Sequence, residues 1–397
     1  MPLTHPNPDL LVGADARPRW NSAPFRRHGF HNLHRLSRYV QSFRAGSVLD
    51  LRRATDPAIA QRADLARACA LPWFSAMVVA EGGRILFERY APDFPEDQPH
   101  SIMSISKTVM NLVTGMLRDA GKLDLERTAG SYLPWLGAGY AGARVQDIAD
   151  MNLRNAYDED YLNPEAMVFH HEAATGMRLP AEFGRTGADP SGTGADAAEQ
   201  DGKSFLAAIG LQPGTTDTRN PTRFCMYRSA NTDVLAALAE EVSGRRMTDY
   251  LADLADAVGV EGAVHAAGDR KGFPLMNGGL CLTARDLARY GLLIARRGAG
   301  VGKAGAGARQ FGSAAFLDET LTRGVMMPPP RAHLRYSNQF NTDGRWLGHG
   351  GYGGQYMLVD MQSGRVAVFL SVLDTEDGYL AEYFPPIIRM LAEICAG

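Results

Sequence analysis

A serine and a lysine three residues apart, Ser104 and Lys107, are the residues of this sequence best placed for chemistry. A serine hydroxyl is a poor nucleophile at neutral pH and needs a neighbouring base. Residues three apart on a helix share one face, so the amine of Lys107 can reach the hydroxyl of Ser104. Burial and the positive end of a helix both disfavour a charged lysine, and a neutral lysine can accept a proton. The spacing therefore predicts a nucleophile beside its base.

The surroundings of Lys107 make this pair more specific than the bare motif, which occurs by chance in many chains of this length. The chain has five lysines, and the other four lie in polar or glycine-rich stretches, whereas Lys107 lies in an apolar run. An unpaired charge in such a run is costly. The alternative is a lysine whose charged end reaches solvent near a helix end. Ser106 is a rival nucleophile, but it is adjacent to Lys107 and points to a different helix face.

Two further elements follow the pair in the chain. Tyr227 precedes a predicted helix start, and a tyrosine oxygen beside a lysine can relay a proton between nucleophile and leaving group. Alone, Tyr227 would be interpreted as a core tyrosine. The run His349-Gly350-Gly351-Tyr352 lies on a predicted C-terminal strand, where glycine lets a substrate approach the backbone. The N–H groups of Tyr352 and Ser104 can then form an oxyanion hole, although a glycine-rich hairpin alone indicates only a turn.

Composition narrows the classes of protein. The chain has 397 residues and a formal net charge of -3, without a basic block that would neutralise phosphates, so we expect no nucleic-acid partner and a small-molecule substrate instead. No segment is long and apolar enough for a membrane span or a signal peptide. The four cysteines are scattered without paired spacing, which favours reduced thiols in a cytoplasmic protein. We expect neither a metal nor a cofactor.

The elements that must position these residues follow from hydrophobic periodicity. Strands at both ends of the chain with helices between them predict an α/β (α+β) fold, with a central antiparallel sheet built from N- and C-terminal segments and flanked by helices. The predicted strands are 73–80, 85–90, 346–351, 355–360 and 365–372, and the predicted helices are 104–119, 233–242, 247–257, 284–296 and 386–394.

The same pattern divides the chain into regions. Residues 1–70 are predicted to form a loop-rich N-terminal arm, and residues 71–120 and 284–397 the α/β sheet region. Residues 121–283 form a mostly helical region, with a mobile Gly/Ala/Asp-rich loop near 183–203.

With its three elements in this order, the sequence resembles the serine β-lactamase-like hydrolases of the penicillin-binding-protein fold. From about residue 70 onward it is most similar to the 6-aminohexanoate-dimer (nylon-oligomer) hydrolases. The segments that carry the resemblance are 103–107, 157–161, Tyr227 with 229–236, 277–279 and 283–289. The resemblance implies a β-lactamase/transpeptidase-like fold and, in line with these hydrolases, a homodimer.

The resemblance also implies roles for matching residues. Ser104, Lys107 and Tyr227 are the implied catalytic trio, with the amides of Ser104 and Tyr352 as oxyanion hole. The further implied site residues are Tyr161, which assists amide cleavage at the leaving nitrogen, Glu172, which faces a substrate ammonium, and Asn277, Ser229 and His349, which bind substrate. Two departures stand out: Glu172 occupies a position where aspartate is expected, and His349 replaces the lysine of the Lys-Thr-Gly motif, which argues against a β-lactam substrate.

The expected activity is acyl transfer through an acyl-enzyme on Ser104, with small linear amides or carboxylic esters as substrates. Two alternatives remain from sequence. One is a carboxylesterase without useful amidase activity, and the other is a catalytically silent binding protein on the same fold.

Overall fold

A computed structural model describes residues 19–178, 200–301 and 309–397. The predicted loop near 183–203 lies mostly outside these ranges. The α-helices in the described residues are α1 Arg26–Leu36, α2 Pro57–Ala60, α3 Ala63–Ala68, α4 Thr108–Asp119, α5 Ala138–Ala141, α6 Val145–Ala149, α7 Met167–Ala174, α8 Gly202–Ala208, α9 Ala230–Ser243, α10 Met247–Val258, α11 Ala284–Ala295, α12 Ala314–Thr322 and α13 Phe384–Ala396. The strands are β1 Val40–Phe43, β2 Arg52–Arg53, β3 Phe74–Glu81, β4 Arg84–Tyr90, β5 His100–Ser101, β6 Val264–Ala267, β7 Leu280–Leu282, β8 Val325–Met326, β9 Arg335–Ser337, β10 Phe340–Thr342, β11 Trp346–Gly351, β12 Gln355–Asp360 and β13 Arg365–Ser371.

A nine-stranded sheet forms the centre of the fold, in the order β2-β4-β3-β13-β12-β11-β10-β9-β8. Its strands pair antiparallel except at the edge, where β2 runs parallel to β4. Strand β3 from the N-terminal part pairs with β13 from the C-terminal part, and Val78 lies opposite Val368. This pairing joins the two ends of the chain in one sheet, as the sequence predicts.

Both faces of the sheet are buried, because successive side chains of a strand point to opposite faces. On β3, Val78 belongs to the core formed with α4, α9 and α11, whereas Met77 and Val79 belong to the core formed with α13. Gly291 of α11 allows a close approach to the sheet, since a Cβ there would lie 2.4 Å from Cγ1 of Val366. The result is a helix–sheet–helix sandwich in which β11 pairs with a strand on each side.

A second, four-stranded sheet in the order β1-β6-β7-β5 holds the segments around Ser104. Strand β5 ends at Ser101, and the N–H of Ile102 donates to the carbonyl of Leu280 on β7 at 3.0 Å. Strands β5 and β7 have two and three residues, which is too short for a period of two to be visible in the sequence. This sheet was therefore not predicted.

The mixed α/β architecture predicted from sequence is confirmed, and the long predicted helices occur near their predicted bounds. One prediction was wrong in detail: residues 103–107 form a 3-10 turn, and the α-helix begins at Thr108 rather than at Ser104. The division into arm, sheet region and helical region stays a prediction. In the described part of the chain, no helix combines the length and apolar character needed to cross a membrane.

Candidate active site

The 3-10 turn Met103–Lys107 places Ser104 and Lys107 in direct contact. In a 3-10 helix the side chains at i and i+3 eclipse one another, so this geometry brings the pair closer than an α-helix would. Lys107 Nζ donates to Ser104 Oγ at 2.9 Å. Ser104 is partly exposed, whereas Lys107 is fully buried at 0% exposure. The hydroxyl therefore faces open space while the amine is held behind it.

The backbone at Met103 is strained, with φ of 45°, in the left-handed region that residues other than glycine seldom adopt. Strain of this kind is concentrated at functional sites, where the surrounding structure maintains it. Ser106 occupies the opposite side of the turn and is fully buried, and its hydroxyl accepts a hydrogen bond from the N–H of Leu280 at 3.3 Å. The geometry thus favours Ser104 over Ser106 as the accessible hydroxyl.

Three acceptors surround the amine of Lys107. Besides Ser104 Oγ, Nζ donates to Ser229 Oγ at 2.9 Å and to the carbonyl oxygen of Asn277 at 2.5 Å. An ammonium has three hydrogens, so all of them are satisfied. Burial lowers the pKa of Lys107 from 10.5 to about 8. A substantial neutral fraction therefore exists in mildly alkaline solution.

Two carboxylates partly oppose the effect of burial on the pKa of Lys107. Both Glu159 and Asp233 raise this pKa through their negative charge. Glu159 also accepts a hydrogen bond from the N–H of Ser229 at the start of α9. Asp233 accepts from the side chain of Asn277 at 2.5 Å and from its N–H at 3.2 Å. These contacts fix Ser229 and Asn277, two of the three acceptors of the lysine.

Tyr227 stands beside the same pair. Backbone hydrogen bonds fix the residues before it: the N–H of Cys225 donates to Met326 O at 2.8 Å, and that of Met226 donates to Met151 O at 2.7 Å. Its ring centre lies 5.1 Å from Nζ of Lys107. Burial raises the pKa of Tyr227 well above its ordinary value, and the side chains of Ser104 and Ser229 are close enough to oppose the rise. The phenol is therefore neutral and suited to passing a proton.

The end of strand β11 lies against the 3-10 turn. A Cβ on Gly351 would lie 2.7 Å from the carbonyl oxygen of Ile102 and 3.2 Å from Cβ of Met103, so only glycine permits this approach. The next residue, Tyr352, lines the same cavity as Ser104. Its ring stacks on that of Tyr161, with centroids 4.3 Å apart and an interplanar angle of 27°. Both tyrosines therefore lie together in the lining of the site.

His349 on β11 is buried and uncharged. Burial is the largest cause that lowers the pKa of His349, to about 3, and the charge of Lys107 adds to it. Its Nδ1 lies 2.6 Å from the carbonyl oxygen of Gly350, which can only accept, so Nδ1 carries the proton. Nε2 then accepts from the hydroxyl of Tyr336 at 3.2 Å. His349 thus supplies no positive charge, unlike the lysine of a Lys-Thr-Gly motif.

Two spaces meet at Ser104. The larger is an open cavity of about 430 Å³, and its lining includes Tyr161, Tyr227, Arg331 and Tyr352. The smaller has room for about 20 Å³, roughly one water molecule, and its polar lining includes Glu172 and Asn277. With the described residues in these positions, a substrate of more than a few atoms therefore fits only the larger cavity.

Glu172 on α7 is paired within the protein. Arg178 donates to its Oε2 through Nε at 2.9 Å and lies 2.8 Å from it through a second nitrogen. Burial raises the pKa of Glu172, although the charge of Arg178 acts in the opposite direction. The resemblance implies that this carboxylate faces a substrate ammonium. In the structure, its negative charge is already paired with the positive charge of Arg178.

Comparison with known proteins decides the family. The sequence profile described as Beta-lactamase matches residues 75–384. The 6-aminohexanoate-dimer hydrolase of Paenarthrobacter ureafaciens is 32% identical over 305 residues, which cover 74% of this chain and 71% of that protein. The chain belongs to the beta-lactamase family. It is a serine hydrolase by this membership, as the sequence predicts.

Solved structures share the fold of this chain. The provisionally named 6-aminohexanoate-dimer hydrolase from Bacillus anthracis superposes with a TM-score of 0.77 at 18% identity, over 99% of this chain and 98% of that one. A D-stereospecific amidohydrolase from Streptomyces sp. gives a TM-score of 0.54 at 18% identity, over 83% of this chain and 99% of that one. At such identities the likeness concerns fold alone.

The beta-lactamase-family core begins after α1, but α1 contacts the site. Arg26 is buried and donates to the carbonyls of Leu373 at 2.8 Å and Thr375 at 2.5 Å. Its guanidinium also lies 5.5 Å from the ring centre of Tyr352. Phe30 packs against Gly353, where an added Cβ would lie 2.5 Å from its ring. Helix α1 therefore supports the turn that carries the Tyr352 amide.

The structure brings the predicted site residues of this beta-lactamase-family protein around two connected spaces, and it adds several that the sequence did not reveal. Glu159, Asp233, Arg178 and Arg331 all contact the site or line it. Glu159 lies in the segment 157–161 that carries the resemblance, which was a usable signal, whereas Arg178 and Arg331 stand outside every motif. In the three described ranges, no group of three or more His, Cys, Asp and Glu residues is arranged to hold a metal.

Proposed function

We propose that this protein hydrolyses small linear amides or carboxylic esters through an acyl-enzyme on Ser104. The observation that carries the proposal is the 2.9 Å contact between Ser104 Oγ and the amine of Lys107, with burial that lowers the lysine pKa to about 8. A nucleophile within hydrogen-bond reach of a base is the arrangement that acyl transfer requires.

In the acylation step, neutral Lys107 takes the proton of Ser104 while Oγ forms a bond to the carbonyl carbon of the substrate. The tetrahedral oxyanion then accepts from the N–H of Ser104 in the 3-10 turn and from the N–H of Tyr352, the residue after β11. The bond from carbon to the leaving nitrogen or oxygen breaks as that atom receives, through Tyr227, the proton that Lys107 took from Ser104, and Lys107 is then neutral again. Tyr161 lines the same cavity as Ser104, and we assign it the role of assisting a leaving nitrogen.

In the deacylation step, water replaces the leaving group. Lys107 removes a proton from the water, the hydroxyl adds to the acyl carbon, and the ester bond to Ser104 breaks as Oγ regains a proton. The carbonyl of Asn277 and the hydroxyl of Ser229 hold the amine in place through both steps. Because the carbonyl can only accept, one N–H of the lysine always points to Asn277, which leaves its lone pair free to face Ser104.

The relative from Paenarthrobacter ureafaciens favours a linear amide such as the 6-aminohexanoate dimer as substrate. Neutral His349 argues against a β-lactam, because it supplies no positive charge in place of the lysine of a Lys-Thr-Gly motif. We include Glu172 as a contact for a substrate ammonium, in competition with Arg178.

A carboxylesterase without amidase activity is the second candidate function. It is favoured by the ion pair between Arg178 and Glu172, which reduces the attraction of the small space for an amine. Hydrolysis of a p-nitrophenyl ester compared with turnover of the 6-aminohexanoate dimer separates the two candidates.

The test of the proposed function is Ser104→Ala beside wild type on these substrates. We expect wild type to hydrolyse them and Ser104→Ala to lose at least about 10³-fold in kcat with an unchanged circular-dichroism spectrum. A fluorophosphonate probe should add one label to wild type, on the peptide that contains Ser104. Activity retained in Ser104→Ala, or a wild-type protein that neither turns over nor takes the label, would contradict the proposal; the second result favours a binding protein.

A further inference from the structure

Arg331 faces the larger cavity. Among the described residues that line this cavity, it is the only lysine or arginine. It lies between β8 and β9, in a segment held by backbone hydrogen bonds. The N–H of Arg331 donates to Pro328 O at 3.0 Å, and its carbonyl accepts from Leu334 N at 2.9 Å. Both Met327 and Leu334 on either side are buried. The base of the side chain is therefore fixed beside the site.

The guanidinium of Arg331 has no partner among the described residues: none of them gives it an ion pair or a side-chain hydrogen bond. The side chain is nonetheless half-buried. A guanidinium carries five N–H donors in a planar fork, and withdrawing them from water without a partner is unfavourable. A ligand with two acceptor oxygens would satisfy it.

The positive charge of Arg331 acts on the wall of the cavity next to the nucleophile. It lowers the pKa of Tyr227 and of His349, in each case as one of the smaller causes. His349 is uncharged, and the hydrogens of Lys107 are all engaged. Arg331 is thus the cation available to a substrate in this cavity.

The carboxylates that line the same cavity differ from Arg331, because each already accepts a backbone hydrogen bond. Glu159 accepts from Ser229, Asp160 from Leu162 at 3.0 Å, and Asp377 from Tyr379 at 3.1 Å. In the smaller space, Glu172 is paired with Arg178. Each of these acidic groups accepts a hydrogen bond or pairs with an arginine within the protein, whereas the guanidinium of Arg331 makes neither contact with the described residues.

We infer that Arg331 binds a carboxylate carried by the substrate, so that this hydrolase selects amides or esters with a free acid group. The inference rests on the proposed function and narrows its substrate class. Arginine matches a carboxylate with two parallel N–H···O bonds, which gives orientation as well as affinity. The acid group would lie in the larger cavity while the scissile carbonyl lies at Ser104.

Matched substrate pairs test this inference. For an acid in the acyl part, the 4-nitrophenyl half-esters of adipic and pimelic acid are compared with their methyl-capped diesters. For an acid in the leaving part, N-acyl-6-aminohexanoate is compared with its carboxamide. Each pair keeps the scissile bond and loses the negative charge in the capped member, and the pair that responds identifies the end of the substrate that faces Arg331.

Three variants are measured on both series. Arg331→Gln removes the positive charge, and Arg331→Lys keeps the charge but loses the planar arrangement of N–H donors. The control, Arg270→Gln, removes an exposed arginine that lines neither space. We expect Arg331→Gln to lower kcat/KM about tenfold or more for one or both acid substrates, mainly through KM, with the capped partners changed less than about twofold. Arg331→Lys should lower kcat/KM for the acid substrates by a smaller factor, and Arg270→Gln should have the kcat/KM values of wild type.

Equal effects of Arg331→Gln on acid and capped substrates in both series, or no effect on either, would overturn the inference. Calorimetry provides a readout that does not depend on turnover. Ser104→Ala should bind monomethyl adipate at least about tenfold more tightly than the double variant with Arg331→Gln. If wild type proves inactive, the proposed function fails while calorimetry still decides the role of Arg331; equal binding by both variants would reject it.

Discussion

The amine of Lys107 and the hydroxyl of Ser104 lie 2.9 Å apart within one 3-10 turn, with the lysine buried and the serine open to a cavity. The contact depends on the eclipsed i and i+3 positions of that turn. It also depends on Ser229 and Asn277, which accept the other two hydrogens of the amine. The same amine is therefore both the base of the site and a fixed part of its structure.

The first prediction concerns pH. The base must be neutral to accept a proton, and the pKa of Lys107 is about 8, so kcat/KM should rise with pH and reach half its limit near pH 8. Glu159 raises this pKa, and Glu159→Gln should therefore shift the rise to lower pH. The measurement is a pH–rate profile of both proteins on a neutral ester. A rise at the same pH in both would show that Glu159 does not act on the base.

The second prediction concerns Gly351. An added Cβ would lie 2.7 Å from the carbonyl of Ile102, so Gly351→Ala must push the end of β11 away from the 3-10 turn. Displacing an oxyanion-hole donor costs about 10²-fold in kcat, and we expect a loss of that order. The matched control is Gly142→Ala, where nothing lies within 4 Å of the added Cβ. Comparable kcat values in the two variants would separate Gly351 from the oxyanion site.

The third prediction concerns the small space. If Arg178 competes with a substrate ammonium for Glu172, Arg178→Gln should lower KM for an amine-bearing substrate and leave a neutral ester unchanged. Glu172→Gln should raise KM for the same amine substrate. Steady-state kinetics on both substrates provide the measurement. Parallel changes on the amine and the neutral substrate would remove Glu172 from substrate recognition.

The fourth prediction concerns stability in acid. Burial lowers the pKa of His31 to about 2, that of His100 to about 4 and that of His349 to about 3, all below the ordinary 6.5. The unfolded chain then binds more protons below pH 6.5, so stability is present above that pH and is lost as the pH falls toward the folded values. Between pH 7 and pH 5 the loss should be about 2 kcal/mol for each histidine.

His31→Gln offers a direct check of this acid sensitivity. Its side chain contacts Ser75 Oγ at 3.0 Å, far from Ser104 along the chain. Urea unfolding at pH 7 and pH 5 should show a smaller difference in the variant than in wild type, by about 2 kcal/mol. An identical difference would mean that His31 is not buried as a neutral group. The comparison uses the change between two pH values, so a general loss of stability in the variant does not affect it.

The nucleophile pair and the long strands of the central sheet could be predicted from the order of the residues alone. Ser104 and Lys107 are separated by a fixed local spacing, and the strands that become β3 and β11–β13 are long enough to show their pattern. Local spacing and periodicity depend only on neighbours along the chain, and this is why they could be predicted. The short strands β5 and β7 are too brief to show such a pattern, and the 3-10 geometry of the nucleophile turn was also hidden.

The folded protein, by contrast, is needed to see which charged groups at the site already have partners. Arg178 covers Glu172, Glu159 holds the N–H of Ser229, and Arg331 stands unpaired by the described residues beside the cavity. Glu159 and Ser229 are brought together over a separation of 70 residues. Contacts of this kind depend on how helices and loops pack across the sheet, and no spacing along the chain records them. The nucleophile could therefore be predicted from the sequence, whereas the charge that it offers a substrate is a property of the folded protein.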